Sequence, residues 1–154
     1  MIRATLTAIA CVFILAGCST PTAEPSTDTP EQLASVIAEH ETDWRTVIDN
    51  ISDCRGKFFT GAQQVPCWKD ENTAAIEMGD VADKLDELTP PDSMAELVER
   101  TELTLNKVAL LDGTSCGDGG LPNLDSTKCV DELGARADLL RDVADLLDAW
   151  GPYL

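Results

Sequence analysis

The first regular pattern along the chain is a stripe of apolar residues that lies downstream of a proline-rich segment. Its members are separated alternately by four and three residues, which is the spacing of one buried helix face. Upstream of it, Thr29 and Gln32 match the two ends of a capping box, and Pro30 suits the first helical position. The pattern therefore predicts a first helix that ends near Cys54. The stripe consists of Leu33, Ile37, His40, Trp44, Val47 and Ile51, with Val36 and Ile48 beside it.

Three further stripes with helical spacing follow. The second ends at Pro90 and Pro91, because proline disfavours helical backbone in the residue before it. The third opens on a second capping box, at Ser93 and Glu96, and the fourth ends at Gly151. No part of 31–154 alternates between apolar and polar residues as a strand does, so the sequence predicts an all-α fold. The stripes are Ala75, Met78, Val81, Ala82, Leu85 and Leu88; Met94, Leu97, Val98, Thr101, Leu105 and Val108; and Leu133, Ala137, Leu140, Val143, Ala144, Leu147 and Trp150.

Two segments of the chain are nearly the same: DVADKLDEL at 80–88 and DVADLLDAW at 142–150. A shift of 62 residues aligns them, aligns both cysteines of one half with those of the other, and gives 11 identities in 58 positions. The first and third stripes align better with a shift of 61. The two shifts agree if the halves differ by one residue in the length of the segment before their first cysteine. These matches favour a duplicated helical hairpin, and convergence of ordinary helix composition is the alternative.

The first 18 residues have the composition of an export signal. Arg3 supplies a positive charge, and an apolar run follows that is too short to span a membrane comfortably as a mature helix. The run closes with Leu-Ala-Gly-Cys at 15–18, which resembles the lipobox of bacterial lipoproteins. The resemblance covers residues 1–18 only; it implies a signal peptide at 1–17 and a lipid on Cys18 that anchors the protein to the outer face of a bacterial membrane. An ordinary cleaved signal peptide and an uncleaved anchor are the alternatives.

The segment that follows Cys18 is predicted to be a tether, because small polar residues and three prolines up to Pro30 cannot form a core. The tether is assigned to 18–30 and the helical domain to 31–154. Within this domain, hairpins 31–88 and 93–150 predict an antiparallel four-helix bundle, since short connections make neighbouring helices antiparallel.

The four cysteines of the domain form an even set, which in an exported chain indicates two disulfides. Cys54 and Cys67 enclose twelve residues, and so do Cys116 and Cys129. This equal spacing favours the pairs Cys54–Cys67 and Cys116–Cys129, each of which would staple one hairpin. Neither pair has the CxxC spacing of a zinc site, so no metal site is predicted.

The chain is strongly acidic, with a formal net charge of −17. A protein of this charge is repelled by nucleic acid and by anionic lipid headgroups, so no nucleic-acid partner is predicted. Asp80, Asp83 and Asp86 lie on the helix side away from the apolar stripe, and 142, 145 and 148 repeat this placement. A solvated helix face is the ordinary interpretation, and a cationic partner is the alternative.

No catalytic signature is present, and the sequence predicts a protein that is not an enzyme and has no cofactor. His40 lies on an apolar stripe, where a histidine held by a hydrogen bond is the ordinary occupant. Haem ligation with Met78 or Met94 is an alternative, although the chain has no CxxCH motif. Ile37 stands where a di-iron bundle requires glutamate. The stretch 118–125 has oxygen ligands for calcium but lacks the ligand spacing and closing glutamate of an EF-hand.

The segment after Cys54 brings bases and aromatic residues into an acidic chain that has few aromatics. Arg55, Lys57, Phe58 and Phe59 lie between the cysteines of the first pair. In up-down-up-down order, both disulfide loops lie at the end of the bundle opposite to the tether. The sequence therefore predicts a membrane-distal tip that binds an envelope or extracellular protein through these four residues. Packing of Phe58 and Phe59 over the end of the core is the competing interpretation.

These features favour a lipid-anchored, extracytoplasmic binding module that has no catalytic activity. One alternative is a phage-type superinfection-exclusion lipoprotein that blocks a receptor or an injection machinery, by analogy of class alone. Another is a carrier of a small ligand, haem or metal in the bundle interior.

Overall fold

Five helices make up the part of the chain that the structure, a computed structural model, describes. This part is 27–60, 64–111, 116 and 123–154, with side chains described at all of these positions except 55–60 and 64–66. The fold is all-helical there, as predicted, and these residues include no strand. The helices are α1 Pro30–Ala38, α2 Glu41–Thr60, α3 Gln64–Asp86, α4 Ala95–Leu110 and α5 Thr127–Trp150.

The start of α1 is the capping box that the sequence predicts. The Thr29 hydroxyl accepts a hydrogen bond from the Gln32 N–H at 3.3 Å, and the Thr29 N–H donates to Gln32 Oε1 at 2.7 Å. Pro30 occupies the first turn, where its missing N–H removes no intrahelical bond.

The predicted first helix is two helices in the structure, and its end was predicted too early. The His40 N–H donates to Ile37 O at 3.0 Å, three residues back instead of four, so the backbone tightens into a turn between α1 and α2. The second helix then continues past Cys54 to Thr60, and α3 already begins at Gln64. The predicted loop between the first two cysteines is therefore mostly helical. The end of the helix was predicted too early because an apolar stripe covers only the buried part of a helix, and α2 extends beyond that part.

The predicted capping box at Ser93 does not form. Met94 is the N-cap of α4, and its side chain makes no capping hydrogen bond. Instead, the Pro91 carbonyl accepts hydrogen bonds from the N–H groups of Met94 and Ala95, at 2.8 and 3.1 Å. The turn at 92–94 thus supplies the acceptor that a serine side chain would otherwise provide, and it buries Met94 in the core.

Most of the core comes from the four predicted stripes, although His40 and Ala144 are only partly buried and Leu133 packs against a separate cluster around the cysteines. Buried side chains from all five helices form one hydrophobic cluster, and the Trp150 indole Nε1 donates within it to the Thr101 hydroxyl at 2.9 Å. That hydroxyl in turn donates to Leu97 O at 2.7 Å, so this buried polar pair is satisfied. The buried members of the cluster include Leu33, Ile37, Trp44, Ile51, Met78, Val81, Leu85, Met94, Val98, Leu105, Val108, Leu140, Val143, Leu147 and Trp150.

The longer helices contact one another around a ring. Helix α2 contacts both α3 and α5, and α4 contacts both α3 and α5, while α1 lies against α2 and α3. This packing is compatible with an antiparallel four-helix bundle. The contact between α3 and α4 is close at Gly79, where a Cβ would lie 3.0 Å from Ala109 Cβ, so the residue at 79 has to be small.

The six repeated aspartates lie on the solvent-exposed faces of α3 and α5. One of them, Asp148, accepts a hydrogen bond from Arg45 at 3.0 Å and so links α5 to α2. Arg45 also donates to Glu41 at 2.9 Å, and this bond to a carboxylate raises the pKa of the guanidinium, with partial burial acting in the opposite direction. None of the described helices has the length and apolar character needed to cross a membrane.

Candidate functional site

Both disulfides lie in one small cluster that is separate from the main core. Cys54 is joined to Cys67 with a Cα–Cα distance of 5.4 Å, and Cys116 is joined to Cys129 with a Cα–Cα distance of 4.6 Å. These are the pairs that the equal twelve-residue gaps predict. Cys67, Trp68, Cys116 and Cys129 are buried together, with Cys54, Leu124 and Leu133 packed against them. Two disulfides indicate an oxidising, extracytoplasmic environment.

The two disulfides are not equivalent, although their spacing in the sequence is the same. The first joins two helices, because Cys54 lies within α2 and Cys67 within α3. The second joins Cys116, which lies beyond the end of α4, to the first turn of α5. Cys54 is partly exposed, whereas Cys116 and Cys129 are buried. The two halves of the chain therefore differ in structure at their matching cysteines.

The predicted binding residues follow the first cysteine directly. Arg55, Lys57, Phe58 and Phe59 belong to the last two turns of α2, so they lie on a helix and not on the loop that the sequence predicts. Their side chains lie outside the described residues, as do Cys18 and residues 118–122 of the calcium alternative. In the described end of that stretch, Asn123 Oδ1 accepts a hydrogen bond from the Asp125 N–H at 3.1 Å.

A buried arginine lies beside the disulfide cluster. Arg136 of α5 is only 1% exposed, and its guanidinium carbon lies 5.2 Å from the centre of the Trp68 ring. Its Nη1 donates to Asn72 Oδ1 at 2.9 Å, and its Nη2 donates to the carbonyl of Leu111. Leu111 is the C-cap of α4, where carbonyls lack intrahelical donors. One side chain thus connects α3, the end of α4 and α5.

The sequence contains a signal for this arginine that the stripe prediction missed. That prediction placed Ala137 in the fourth stripe, and Ala137 is indeed buried. However, a stripe in α5 whose residues are separated alternately by four and three positions includes Arg136 itself. The positions are Cys129, Leu133, Arg136, Leu140, Val143, Leu147 and Trp150. A charged residue on a core register is a sign of a buried polar contact, because an unpaired buried charge is too costly to persist.

A cleft of about 370 Å³ lies between α2 and α3. Its polar lining includes three carboxylates, Asp43, Asp70 and Glu77, and one ammonium group, Lys69. The remaining lining residues are Trp44, Thr46, Val47, Thr73 and Ala74. Toward the disulfide cluster, a second void of about 40 Å³ adjoins it and is lined in part by Cys54 and Cys67. The sequence pattern does not predict this cleft, because its walls come from two helices.

His40 lies beside this cleft and is half-buried. Its ring stacks on Trp44 with the ring centres 5.3 Å apart, and its Nδ1 is 3.8 Å from a carboxylate oxygen of Glu77. Met78 and Met94, the sulfur ligands of the haem alternative, are both buried in the main hydrophobic cluster. In the described part of the chain, no group of three histidine, cysteine or acidic side chains is arranged to hold a metal ion.

Comparison of the chain with protein-family models, curated proteins and solved structures finds no significant match.

Proposed function

We propose that the protein is a lipid-anchored, extracytoplasmic binding module without catalytic activity, which contacts a protein partner of the cell envelope or its surroundings. The LAGC sequence that ends at Cys18 supports the anchor, and the two disulfides support the compartment. In this proposal, α2 to α5 form an antiparallel four-helix bundle built from the hairpins 31–88 and 93–150. The contacts of α2 and α4 with both α3 and α5 support that arrangement.

The position at which the chain joins the helical domain is the observation that carries the proposal. Just before α1, the Asp28 N–H donates to Thr89 O at 2.8 Å, and Asp28 Oδ2 accepts from the Thr89 N–H at 2.7 Å. This reciprocal pair holds the start of the domain against the turn that follows α3. Cys67 and its disulfide lie at the other end of α3, 19 residues before Asp86, or about 28 Å away along the helix.

An anchor at Cys18 would therefore leave the disulfide end of the domain facing away from the membrane. Both disulfides share one cluster there, so that end is cross-linked twice. Arg55, Lys57, Phe58 and Phe59 follow Cys54 at this end, and arginine and aromatic residues are frequent in the energetically dominant part of protein interfaces. These four residues are the proposed contact, hereafter the tip residues.

Lipid attachment at Cys18 is tested by metabolic labelling with a clickable fatty acid. We expect the wild-type protein to carry the label and to sediment with membranes, because LAGC resembles the lipobox of bacterial lipoproteins, in which the cysteine carries the lipid. The Cys18→Ala variant should lose the label, whereas Cys11→Ala, which changes a cysteine within the apolar run, should keep it. Equal labelling of wild type and Cys18→Ala would show that the anchor is wrong.

The contact at the tip residues is tested by replacing Phe58 and Phe59 with serine. A partner is first cross-linked to the wild type in envelope extract and identified by mass spectrometry. We then expect the double variant to lose about tenfold in affinity for that partner, since interface aromatics dominate binding energy. Its melting temperature should stay within a few degrees of the wild-type value, as expected for residues outside a core.

A matched control for the tip variant comes from elsewhere on the surface. Ile76 and Leu103 are exposed apolar residues of α3 and α4, at 66% and 54%. Their replacement by serine should leave both melting and capture unchanged. A large fall in melting temperature for the tip variant would instead mean that Phe58 and Phe59 close the core. Unchanged capture would place the partner on another surface.

A further inference from the structure

The Cys54–Cys67 disulfide is attached to a part of α2 that lies beyond the main core. Ile51 is the last residue of α2 in the main hydrophobic cluster, and among the described side chains that cluster has no member between Ile51 and Ala74. The two residues that follow Ile51 are exposed, whereas Cys54 packs against the disulfide cluster. Within the described side chains, Cys54 is therefore the one residue beyond Ile51 that ties α2 to a hydrophobic cluster.

The packing beside this disulfide is incomplete. A void of about 40 Å³ lies between α2 and α3, and Asn50, Cys54 and Cys67 contribute to its lining. Regions that bury few apolar contacts open locally at a lower free energy than the core does. The covalent bond, which holds the two Cα atoms 5.4 Å apart, therefore supplies much of what keeps the end of α2 against α3.

The rest of the disulfide cluster has links of its own. Cys116 and Cys129 are buried and joined to each other. Arg136 connects α3, the end of α4 and α5 through Asn72 and the Leu111 carbonyl. These links do not involve α2, so opening the first disulfide leaves them in place.

The first disulfide is also the more accessible of the two. Cys54 is partly exposed, whereas Cys116 and Cys129 are 1% and 0% exposed. A thiolate has to reach a sulfur atom for exchange to occur, so accessibility decides which disulfide reacts first in the folded protein. An attacking thiol therefore meets Cys54 before it meets either cysteine of the second pair.

We propose that Cys54–Cys67 is a redox-sensitive latch that holds the end of α2, and with it the tip residues, against α3. In an oxidising compartment the latch is closed, and a dithiol opens it. One thiolate of the dithiol bonds to Cys54 Sγ and displaces Cys67 Sγ, and the second thiol then displaces Cys54 Sγ. The reductant becomes a disulfide, and both cysteines end as thiols with the two protons that the reductant gave up. The role of the latch in binding rests on the proposed function, whereas its opening does not.

Limited reduction of the purified full chain with dithiothreitol, without denaturant, tests the latch. Pulsed alkylation with peptide mapping follows each disulfide, and backbone ¹³Cα chemical shifts report helix residue by residue. We expect a form to accumulate in which Cys54–Cys67 is reduced and Cys116–Cys129 is intact. In this form, 55–60 should lose about half of their helical shift, because a short helix without packing is marginal in water. The shifts of α4 should stay within about a tenth of their oxidised values.

Two results of this experiment would overturn the proposal. One is reduction of both disulfides at the same rate, which would mean that the first is not selectively accessible. The other is an unchanged helical shift at 55–60 after Cys54–Cys67 is reduced, which would mean that packing and not the bond holds the end of α2.

Protein variants separate the bond from the chemical treatment. Cys54→Ala with Cys67→Ala should show the same loss of helical shift without any reductant. Cys116→Ala with Cys129→Ala is the matched control, and its shifts at 55–60 should stay close to the wild-type values, because that disulfide does not join α2. An equal loss at 55–60 in both variants would reflect general weakening of the fold, and the latch would be wrong.

The consequence for binding is measured with the partner that the tip residues capture. We expect the form with the open latch to bind this partner about tenfold more weakly, because an interface that has to be ordered on binding loses affinity. Equal binding by the open and closed forms would overturn this control of binding. If the tip residues capture no partner, the proposed function fails, and the shift experiment still decides whether the latch opens.

Discussion

Replacement of Arg136 by methionine is expected to lower the free energy of unfolding by about 3 kcal/mol, and the melting temperature by about 10 °C. Methionine fills much of the same volume but donates no hydrogen bond. Asn72 Oδ1 and the Leu111 carbonyl would then lose a charged donor at a site where the arginine is 1% exposed. The end of α4 would also lose its link to α5. Denaturant unfolding followed by circular dichroism measures the change.

Two other variants make this prediction specific. Lysine at 136 keeps the charge, but its single ammonium group cannot reproduce the planar fork of arginine, so we expect a loss of about 2 kcal/mol. Arg141→Met on the same helix is the control, since Arg141 is 61% exposed and its one ion pair within the described part of the chain is with Asp138. It should change stability by less than about 0.5 kcal/mol. Equal stability of Arg136→Met and wild type would mean that the arginine does not hold the three helices together.

Removal of either disulfide is expected to cost a similar amount. Each joins residues 13 apart in sequence, and closure of a loop of this size stabilises a fold by about 3 kcal/mol. Replacing both cysteines of a pair with alanine avoids a free thiol and a buried hydroxyl. We expect the loss to be larger for Cys116 and Cys129, because both are fully buried and leave a cavity.

The order in which the two disulfides are reduced can be measured independently of stability, because their accessibility to solvent differs. Cys54 is partly exposed and the second pair is buried, so a small thiol should reduce Cys54–Cys67 first in the native protein. Pulsed alkylation followed by peptide mapping would report the order. The same mapping without reductant should find only the two local pairs. A link between Cys54 and Cys116 would contradict both the fold and the comparison of the two halves.

The residues that the sequence placed in the core are the part of the fold that is predictable from local pattern. Leu33, Ile37, Trp44 and Ile51 are buried although a turn at Glu39 and His40 divides their helix in two. These residues stay buried on both sides of the turn because each one makes its own contact with the core. The turn itself has neither glycine nor proline, so no residue type indicates it. Likewise, Ser93 and Glu96 have the spacing of a cap, but the competing acceptor, Pro91 O, becomes available only in the folded turn.

The candidate sites were less predictable than the core. The pairing of the cysteines followed from equal spacing, since two cysteines near in sequence at adjoining helix ends meet readily. The helical backbone at Arg55 to Phe59 did not follow, because polar and aromatic residues carry no clear stripe there. Arg136 was on a core register, yet its partners Asn72 and Leu111 lie 64 and 25 residues away in sequence. Contacts over such separations depend on how three helices pack.

The sequence by itself determined which face of each helix is buried, which cysteines are paired, and where α1 begins, because each depends on residues within a few turns of one another. Only the tertiary structure decided that α2 and α3 continue beyond the cysteines, that Arg136 closes the end of α4, and that Asp28 is held against Thr89. It also decided that the Trp150 indole has an acceptor, whereas among the described residues none lies within reach of the Trp44 indole. These features arise where distant segments meet, and side-chain periodicity along one helix carries no information about the neighbour that it meets.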